Sequence, residues 1–581
     1  MRLDLRGGAG LSVLMLAWYV RHGVVVADAG HEPPSVAAWS AYLGGVGLFV
    51  ALLGWAVAFL GGRGPRVAAP IAAGVLGALV YVDTWSYGTF GVHALSPAVL
   101  AAAGNDGAAR ELALPVPFLV VTAVVAVGAA ALAAWLRRPV ATGRRQLWLL
   151  TVPGAATVAL VTGLHTARAA TDQHLLAALP LPGWLTDGPR VSLDETRVEL
   201  GPAELVRGER PSAPGAHELP HLVLIVAESL RADLLRPDAL PRLHALSRSP
   251  RCVHSSRHVS GGHTTEYGVF TLLYALDPWH LPPLRRDGAR SQPLEALRGL
   301  GYRLEGVSAS ALRRWNGAGF LVDGFDHYEE HLETGGWEDD DRVRRRALEV
   351  LRSATQPTLL FVFLNGTHHN YQYPPRHERH LPVIDPGYDH FLSDDALRRD
   401  GDRIRNRYLN AALWVDEVAA EIAAATPQPG WVFVTGDHGE EFWEHGLLGH
   451  AAPRFVRERT DVPLVVCGMD VATPALSSHV DIMPTILGRL GVASEAWASG
   501  SLLGTANVAL VGGLDFPYGN PTMAVATSTA THWVSRCRDA PLPCLESLRS
   551  VSLDDRTPAP PLPDLRAIAQ RISRYGVGAQ P

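Results

Sequence analysis

Hydrophobic positions in this 581-residue chain follow two patterns, and the change between them falls near residue 170. Residues 38–61, 67–84, 114–136 and 147–165 are apolar stretches with few or no charges, each near the roughly 20 residues an α-helix needs to cross a bilayer. A fifth run, about 9–27, contains Arg21 and His22. A signal sequence would look similar, but the charged segment ahead of this run is short, no persuasive cleavage site follows, and further apolar runs come after it. It is read as a first span whose arginine faces the helical bundle or reaches toward a head group. The pattern predicts a five-span α-helical membrane domain over residues 1–168.

Charge gives that domain a direction. Arg2 and Arg6, then Arg63 and Arg66, then Arg137, Arg138, Arg144 and Arg145 mark alternate loops, which by the positive-inside rule puts the N-terminus in the cytoplasm. The other loops, with Asp28 and Glu32 or with Asp106, Arg110 and Glu111, are less basic. Five spans then place everything after about residue 170 outside. From 169 to 218 proline breaks the apolar pattern: Leu175–Leu185 is expected to rest at the membrane interface with Trp184 as its anchor, and the rest is a linker.

Beyond residue 219 the apolar runs shorten to strand length. His221–Ala227 is the continuous run expected of a strand buried on both faces, and it ends in Glu228 and Ser229. Trp431–Val434 is a second such run, stopped by Gly436, with Asp437 and His438 following. In a doubly wound sheet these two ends would lie together at the edge where such folds bind ligands. Ser260–Tyr274 adds a glycine-rich turn entering an apolar helical stretch, with Thr264 and Thr265 at the junction. Each residue also has a plainer use: Glu228 as a helix cap, Asp437 and His438 as solvated turn residues, a threonine as N-cap. Together they suit metal-assisted attack by a hydroxyl on phosphorus or sulfur.

The motifs Glu228-Ser-Leu-Arg-Ala-Asp233, Gly324-Phe-Asp326, Thr367-His-His-Asn-Tyr371, Asp437-His-Gly-Glu-Glu441, Val462-Pro-Leu464 and Ser478-His-Val-Asp-Ile-Met-Pro-Thr485 go further together than any alone. With them the chain resembles the alkaline phosphatase and sulfatase superfamily, in its membrane-anchored branch of lipoteichoic acid synthases and phosphoethanolamine transferases. The resemblance implies a sulfatase-like α/β domain with a mainly parallel sheet over 219–512, outside the cytoplasm, and a small C-terminal β unit and tail over 513–581. It puts the metal ligands at Glu228, Asp437, His438 and Thr265, the last also being the nucleophile, with Thr264 as the alternative. It puts substrate contacts at His368, with His369 as rival, and makes His450 a phosphate contact or general acid. His263, beside the nucleophile, is a further candidate contact, whereas His254 and His258 read as structural.

Trp315-Asn316 resembles a Trp-Asn-Arg segment that binds the head group in that branch, but Gly317 stands where the arginine would be. This departure counts against a phosphoglycerol substrate unless Arg313 or Arg314 compensates. The residues Thr265-Glu-Tyr-Gly-Val also lack the Cys- or Ser-x-Pro-x-Arg motif that formylglycine sulfatases require. Within the branch, Val82–His93 and Phe516–Pro521 resemble the five-span Gram-negative inner-membrane proteins that bind cardiolipin and regulate lipopolysaccharide synthesis.

Two carboxylates, an imidazole and a hydroxyl suit one zinc or manganese ion better than calcium, because imidazole favours transition metals. The expected activity is a phosphotransferase moving a head group from membrane phospholipid to a lipid or glycan acceptor. A hydrolase with the same site and a non-catalytic lipid-binding regulator are the alternatives. A net charge of −6 gives no reason to propose nucleic-acid binding, and nothing in the sequence indicates an oligomeric state. Of the four cysteines, Cys537 and Cys544 bracket a short loop and are expected to pair, with Cys252 and Cys467 as buried singles.

Overall fold

The computed structural model describes residues 2–3, 15–16, 18–20, 46, 68–90, 116–136 and 140–141 of the first third. It then describes 219–512, apart from 282–283, 286–287, 314–317, 387, 389–396, 447, 451–454, 473 and 494–497, and finally 523–536 and 545–553. The chain divides into two compact units, one holding the described part of the first third and the other everything described from 219 onward.

In the first unit, helices α1 (Ala68–Phe90) and α2 (Val116–Leu136) fall on the third and fourth apolar stretches. They meet at small residues: a Cβ on Gly74 would lie 2.9 Å from the Ala126 carbonyl oxygen, and one on Gly77 2.9 Å from Ala129 Cβ. Such residues let helix backbones approach where no hydrophobic force drives them together. Trp18 Nε1 donates to Thr84 Oγ1 at 2.7 Å. Among the described residues no helix is long and apolar enough to cross a membrane. The five-span reading therefore rests on the sequence. The stretches 38–61 and 147–165, most of 9–27 including Arg21, and the segment from 169 to 218 with Trp184 lie outside the described residues.

The second unit is built on a seven-stranded sheet. Its strands are β1 (His221–Ala227), β2 (Cys252–His254), β3 (Arg303–Ser308), β4 (His327–Glu330), β5 (Thr358–Leu364), β6 (Gly430–Gly436) and β7 (Leu464–Cys467), in the order β2-β7-β6-β1-β5-β3-β4. From β6 to β4 all neighbours are parallel, and β7 alone runs against its two neighbours. Alternation along β1 shows why it is apolar throughout. Leu222, Leu224 and Val226 enter one core, with helices α3 (Thr265–Tyr274) and α6 (Ile482–Arg489), while Val223, Ile225 and Ala227 enter the other, with α4 (Trp337–Ser353) and α5 (Gly401–Ala425). Each of these leucine, isoleucine and valine side chains contributes about 1.5–3 kcal/mol on burial, so neither face tolerates a polar residue.

Register brings the site together. Ala227 stands opposite Gly436 on one side and Leu364 on the other, so Glu228, Asp437 and Asn365 leave the sheet at one level. A separate antiparallel sheet, β8 (Ala509–Gly512), β9 (Met523–Ala526), β10 (Ala530–Arg536) and β11 (Leu545–Ser552), takes in residues ahead of 513. Gly512 donates its N–H to the Gly261 carbonyl at 2.9 Å. Arg257 ties this sheet to the larger domain by bonding Asp461, Thr531 Oγ1 and the carbonyls of Thr527 and Ala530.

The cysteine expectation needs correction: Cys252 and Cys467 are joined in a disulfide. Edge strand β2 pairs antiparallel with β7 so that the two residues face each other directly, with Cα atoms 4.1 Å apart. A pairing across 215 residues depends on strand register, which spacing along the chain does not reveal. Cys537 and Cys544 lie outside the described residues.

Candidate active site

Glu228 follows β1 directly, held by its N–H to the Leu364 carbonyl (2.9 Å) and by Thr367 Oγ1, which donates to the Glu228 carbonyl at 2.6 Å. Ser229 then turns with φ 58°, a left-handed conformation unusual for a side-chain-bearing residue. Strain of about 1–3 kcal/mol persists only where surroundings over-determine it. Here Ser229 N–H donates to Asp437 Oδ1 (2.9 Å) and its carbonyl accepts from Tyr408 Oη (2.7 Å). The turn that aims Glu228 thus also locks Asp437.

Across from it, α3 begins at Thr265, with Thr264 as an extended N-cap that makes no side-chain capping bond. Thr265 Oγ1 lies 2.9 and 3.2 Å from the Glu228 carboxylate oxygens and 3.4 Å from His438 Nε2. Thr264 Oγ1, in contrast, is buried without a hydrogen-bond partner. The helix can approach because residue 268 is glycine: a Cβ there would sit 2.1 Å from the Asp437 carbonyl oxygen. Ser260 Oγ donates to that same carbonyl at 2.5 Å.

Asp437 and His438 complete the group. Asp437 Oδ1 accepts from the Ser229 and His438 N–H groups, while its Oδ2 has no hydrogen-bond partner. His438 directs Nδ1 at the Gly439 carbonyl (2.9 Å) and Nε2 toward Glu228 (3.0 Å) and Asp437 Oδ2 (3.4 Å). Ligand atoms of Glu228, Asp437 and His438 all lie within 4.8 Å of one another.

Electrostatics explains what this cluster requires. Burial and the neighbouring Glu228 push Asp437 well above the usual carboxylate range. Burial works against charge on His438, yet Asp437 and Glu228 raise its pKa to about 10. Glu228 is fully buried too, but the hydrogen bond from His438 and the His368 and His450 imidazoles bring it down to about 2. Two buried carboxylates around one imidazole demand a positive charge, and protons supply it when nothing else does. The bare Asp437 Oδ2, with Nε2, a Glu228 oxygen and the Thr265 hydroxyl, is a donor set that fits one divalent cation, whose binding would release protons.

A second arc of residues borders the first. His450 places Nδ1 at 2.6 Å from Glu440 Oε2, and Tyr371 Oη donates to Glu440 Oε1 at 2.9 Å. The His450 ring centroid is 4.2 Å from that of His438 and 5.6 Å from that of His368, which in turn lies 4.2 Å from that of His369. Burial lowers His368 to about 4, so it stands neutral. His263 is also neutral, pushed down by burial and by the Arg459 charge; it packs edge-on to Phe455 with Nδ1 unbonded. Trp315, Asn316 and Arg314 lie outside the described residues. Arg313 stacks on Tyr328, 5.1 Å from the ring centroid.

Sequence reasoning did not single out Ser229, Thr367, Gly268, Glu440 or His479. Glu440 stands two residues beyond His438 inside a quoted motif, a signal that its carboxylate could orient an imidazole.

A family model described as sulfatase matches residues 220–492. This stretch, just under half of the chain, is similar to sulfatase domains. Among solved structures the chain is similar to the integral membrane protein lipooligosaccharide phosphoethanolamine transferase A of Neisseria meningitidis, at 13% identity and TM-score 0.57 over 85% of this chain and 96% of that one. It is also similar to the C-terminal periplasmic domain of Escherichia coli EptC in complex with zinc (20% identity, TM-score 0.43, 54% of this chain, 93% of that one). The C-terminal periplasmic domain of the Campylobacter jejuni phosphoethanolamine transferase EptC is similar at 17% identity and TM-score 0.38, over 49% of this chain and 92% of that one. The first likeness shows a shared fold. Among curated proteins none matches the sequence.

Proposed function

We propose that this chain is a metal-dependent phosphotransferase of the cell envelope, which moves a phospholipid head group through a phospho-Thr265 intermediate to a lipid or glycan acceptor. The carrying observation is the position of Thr265 Oγ1, 2.9 Å from Glu228, 3.4 Å from His438 Nε2 and at the N-terminus of α3. Glu228, Thr265, Asp437 and His438 would hold one zinc or manganese ion, which when bound lowers the hydroxyl pKa and offsets charge on phosphoryl oxygens.

Thr265 Oγ attacks phosphorus, its proton is released to water, and the bond from phosphorus to the diacylglycerol oxygen breaks. His450, oriented by Glu440 through Nδ1, delivers a proton to that departing oxygen. In the second half an acceptor hydroxyl attacks the phosphothreonine, His450 takes its proton, the bond from phosphorus to Thr265 Oγ breaks, and a proton from water restores the Thr265 hydroxyl. The first N–H groups of α3 and the unbonded Thr264 Oγ1 and His263 Nδ1 face the task of holding phosphoryl oxygens, with His368 or His369 beside them. The protein sits in the bacterial inner membrane with a cytoplasmic N-terminus and the sulfatase domain on the periplasmic side.

Intact mass and metal content of the full-length protein, incubated with mixed bacterial phospholipids, test this. A metal-dependent adduct in the wild type that is absent from Thr265→Ala is expected, and its mass identifies the donated group. Bound metal with head group released only to water would make the protein a hydrolase. Neither metal nor adduct would leave a lipid-binding regulator in place of the enzyme.

A further inference from the structure

One buried imidazole near the site has no part in the chemistry above. His479 lies in the Ser478–Thr485 segment, fully buried, on a turn fixed by reciprocal hydrogen bonds between Ser478 and Asp481. Its Nδ1 is 3.1 Å from the Gly268 carbonyl and its Nε2 is 3.4 Å from Thr435 Oγ1. Gly268 is one turn along α3 from Thr265, and Thr435 is two residues before Asp437 on β6. The ring therefore spans the helix of the nucleophile and the strand of the ligands.

Partner chemistry fixes the tautomer. The Gly268 carbonyl can only accept, so Nδ1 carries the proton. Burial holds the ring neutral, with its pKa lowered to about 4, and its other face meets the end of β6, where Nε2 lies 3.4 Å from Thr435 Oγ1 and the ring also meets the Gly436 backbone. One contact alone would not fix the spacing. The packing of Gly268 on the Asp437 carbonyl stops the helix from moving closer but does nothing against its moving away.

We infer that His479 is a positioning residue, a tether from α3 to β6 that keeps the Thr265 hydroxyl within reach of Glu228 and His438. Its effect on turnover rests on the proposed transferase reading; the tether itself does not.

The test compares His479→Ala, His479→Asn and His479→Gln in the full-length, metal-free protein by amide exchange across residues 265–274, and in the zinc-loaded protein by adduct formation and turnover. An asparagine amide can replace Nδ1–H, whereas a glutamine amide reaches the place of Nε2. His479→Ala should speed exchange in the first turns of α3 and lower kcat about 10- to 100-fold with KM little changed. His479→Asn should recover most of both losses, and His479→Gln should not. A folded His479→Ala with wild-type exchange and turnover overturns the tether, as does an asparagine variant no better than alanine. Should the alanine variant not fold, Thr435→Val removes the other anchor and should raise exchange in α3. A wild type without adduct would refute the transferase reading, while the exchange comparison would still decide the tether.

Discussion

Gly268→Ala concentrates the geometry of the site into one methyl group. The added Cβ would lie 2.1 Å from the Asp437 carbonyl oxygen, 2.8 Å from its carbonyl carbon and 3.2 Å from its Cα. An unstrained carbon–oxygen contact needs about 3.3 Å, so α3 and the Asp437 loop must part by about 1 Å. Neither neighbour is a flexible side chain, and the loop is further pinned by Ser260 and Ser229. Alanine improves helix propensity by about 0.8–1 kcal/mol, while overpacking of this kind costs about 1–3 kcal/mol. The clash therefore equals or exceeds the gain, and stability should fall by up to about 2 kcal/mol. Function should suffer more, because a shift of about 1 Å between nucleophile and ligands can lower turnover by about 100-fold. The assay pairs a zinc titration with turnover and denaturation of the full-length protein. Gly299→Ala, where a Cβ meets nothing within 4 Å, serves as the control. Wild-type zinc affinity and rate in Gly268→Ala would refute the close-approach argument.

Two further outcomes follow from parts of the fold outside the site. Cys252→Ser opens a covalent loop of 215 residues and should lower stability by about 2–5 kcal/mol while leaving zinc affinity unchanged; urea denaturation with and without reductant checks it, and an unaffected midpoint would count against the bridge. Asp340 accepts the Asn365 N–H at 2.7 Å, and burial raises its pKa from the ordinary 3.8 to about 7. A raised folded-state value favours the protonated form, so its contribution is complete below pH 4 and is lost as pH climbs through about 7. Asp340→Asn should therefore show a smaller fall in denaturation midpoint between pH 5 and pH 8 than the wild type, and identical slopes would refute the assignment.

Much of this architecture could be read along the chain because its causes are local. Strands β1 and β6 are buried on both faces, which forces continuous apolar runs, and the first charged residues after such runs are Glu228 and Asp437. The glycine-rich turn before Thr265 marks a helix start for similar reasons. What stayed hidden depends on contacts between distant segments. The Cys252–Cys467 pair follows from the register of an edge strand. Gly268 reads as a mere helix weakness until the Asp437 carbonyl is placed against it, and His479 reads as a motif residue until its two partners, on different elements, are known. The choice between Thr264 and Thr265 likewise depends on rotation of α3, which points the second hydroxyl at Glu228.

The disulfide also carries information about compartment. Such bridges persist in oxidising surroundings and are rare in the cytosol. The arginines of the first third independently predict that everything beyond residue 170 lies outside. These two indications share no residue and no physical cause, since one is redox chemistry and the other is charge-dependent insertion. Their agreement supports a sulfatase-like domain on the outer side of a membrane. The proposed transfer would exchange one phosphate ester for another at Thr265 and again at the acceptor, so no step would require an activated nucleotide. In that proposed reaction a covalent phosphothreonine would retain the ester bond while diacylglycerol leaves and the acceptor arrives.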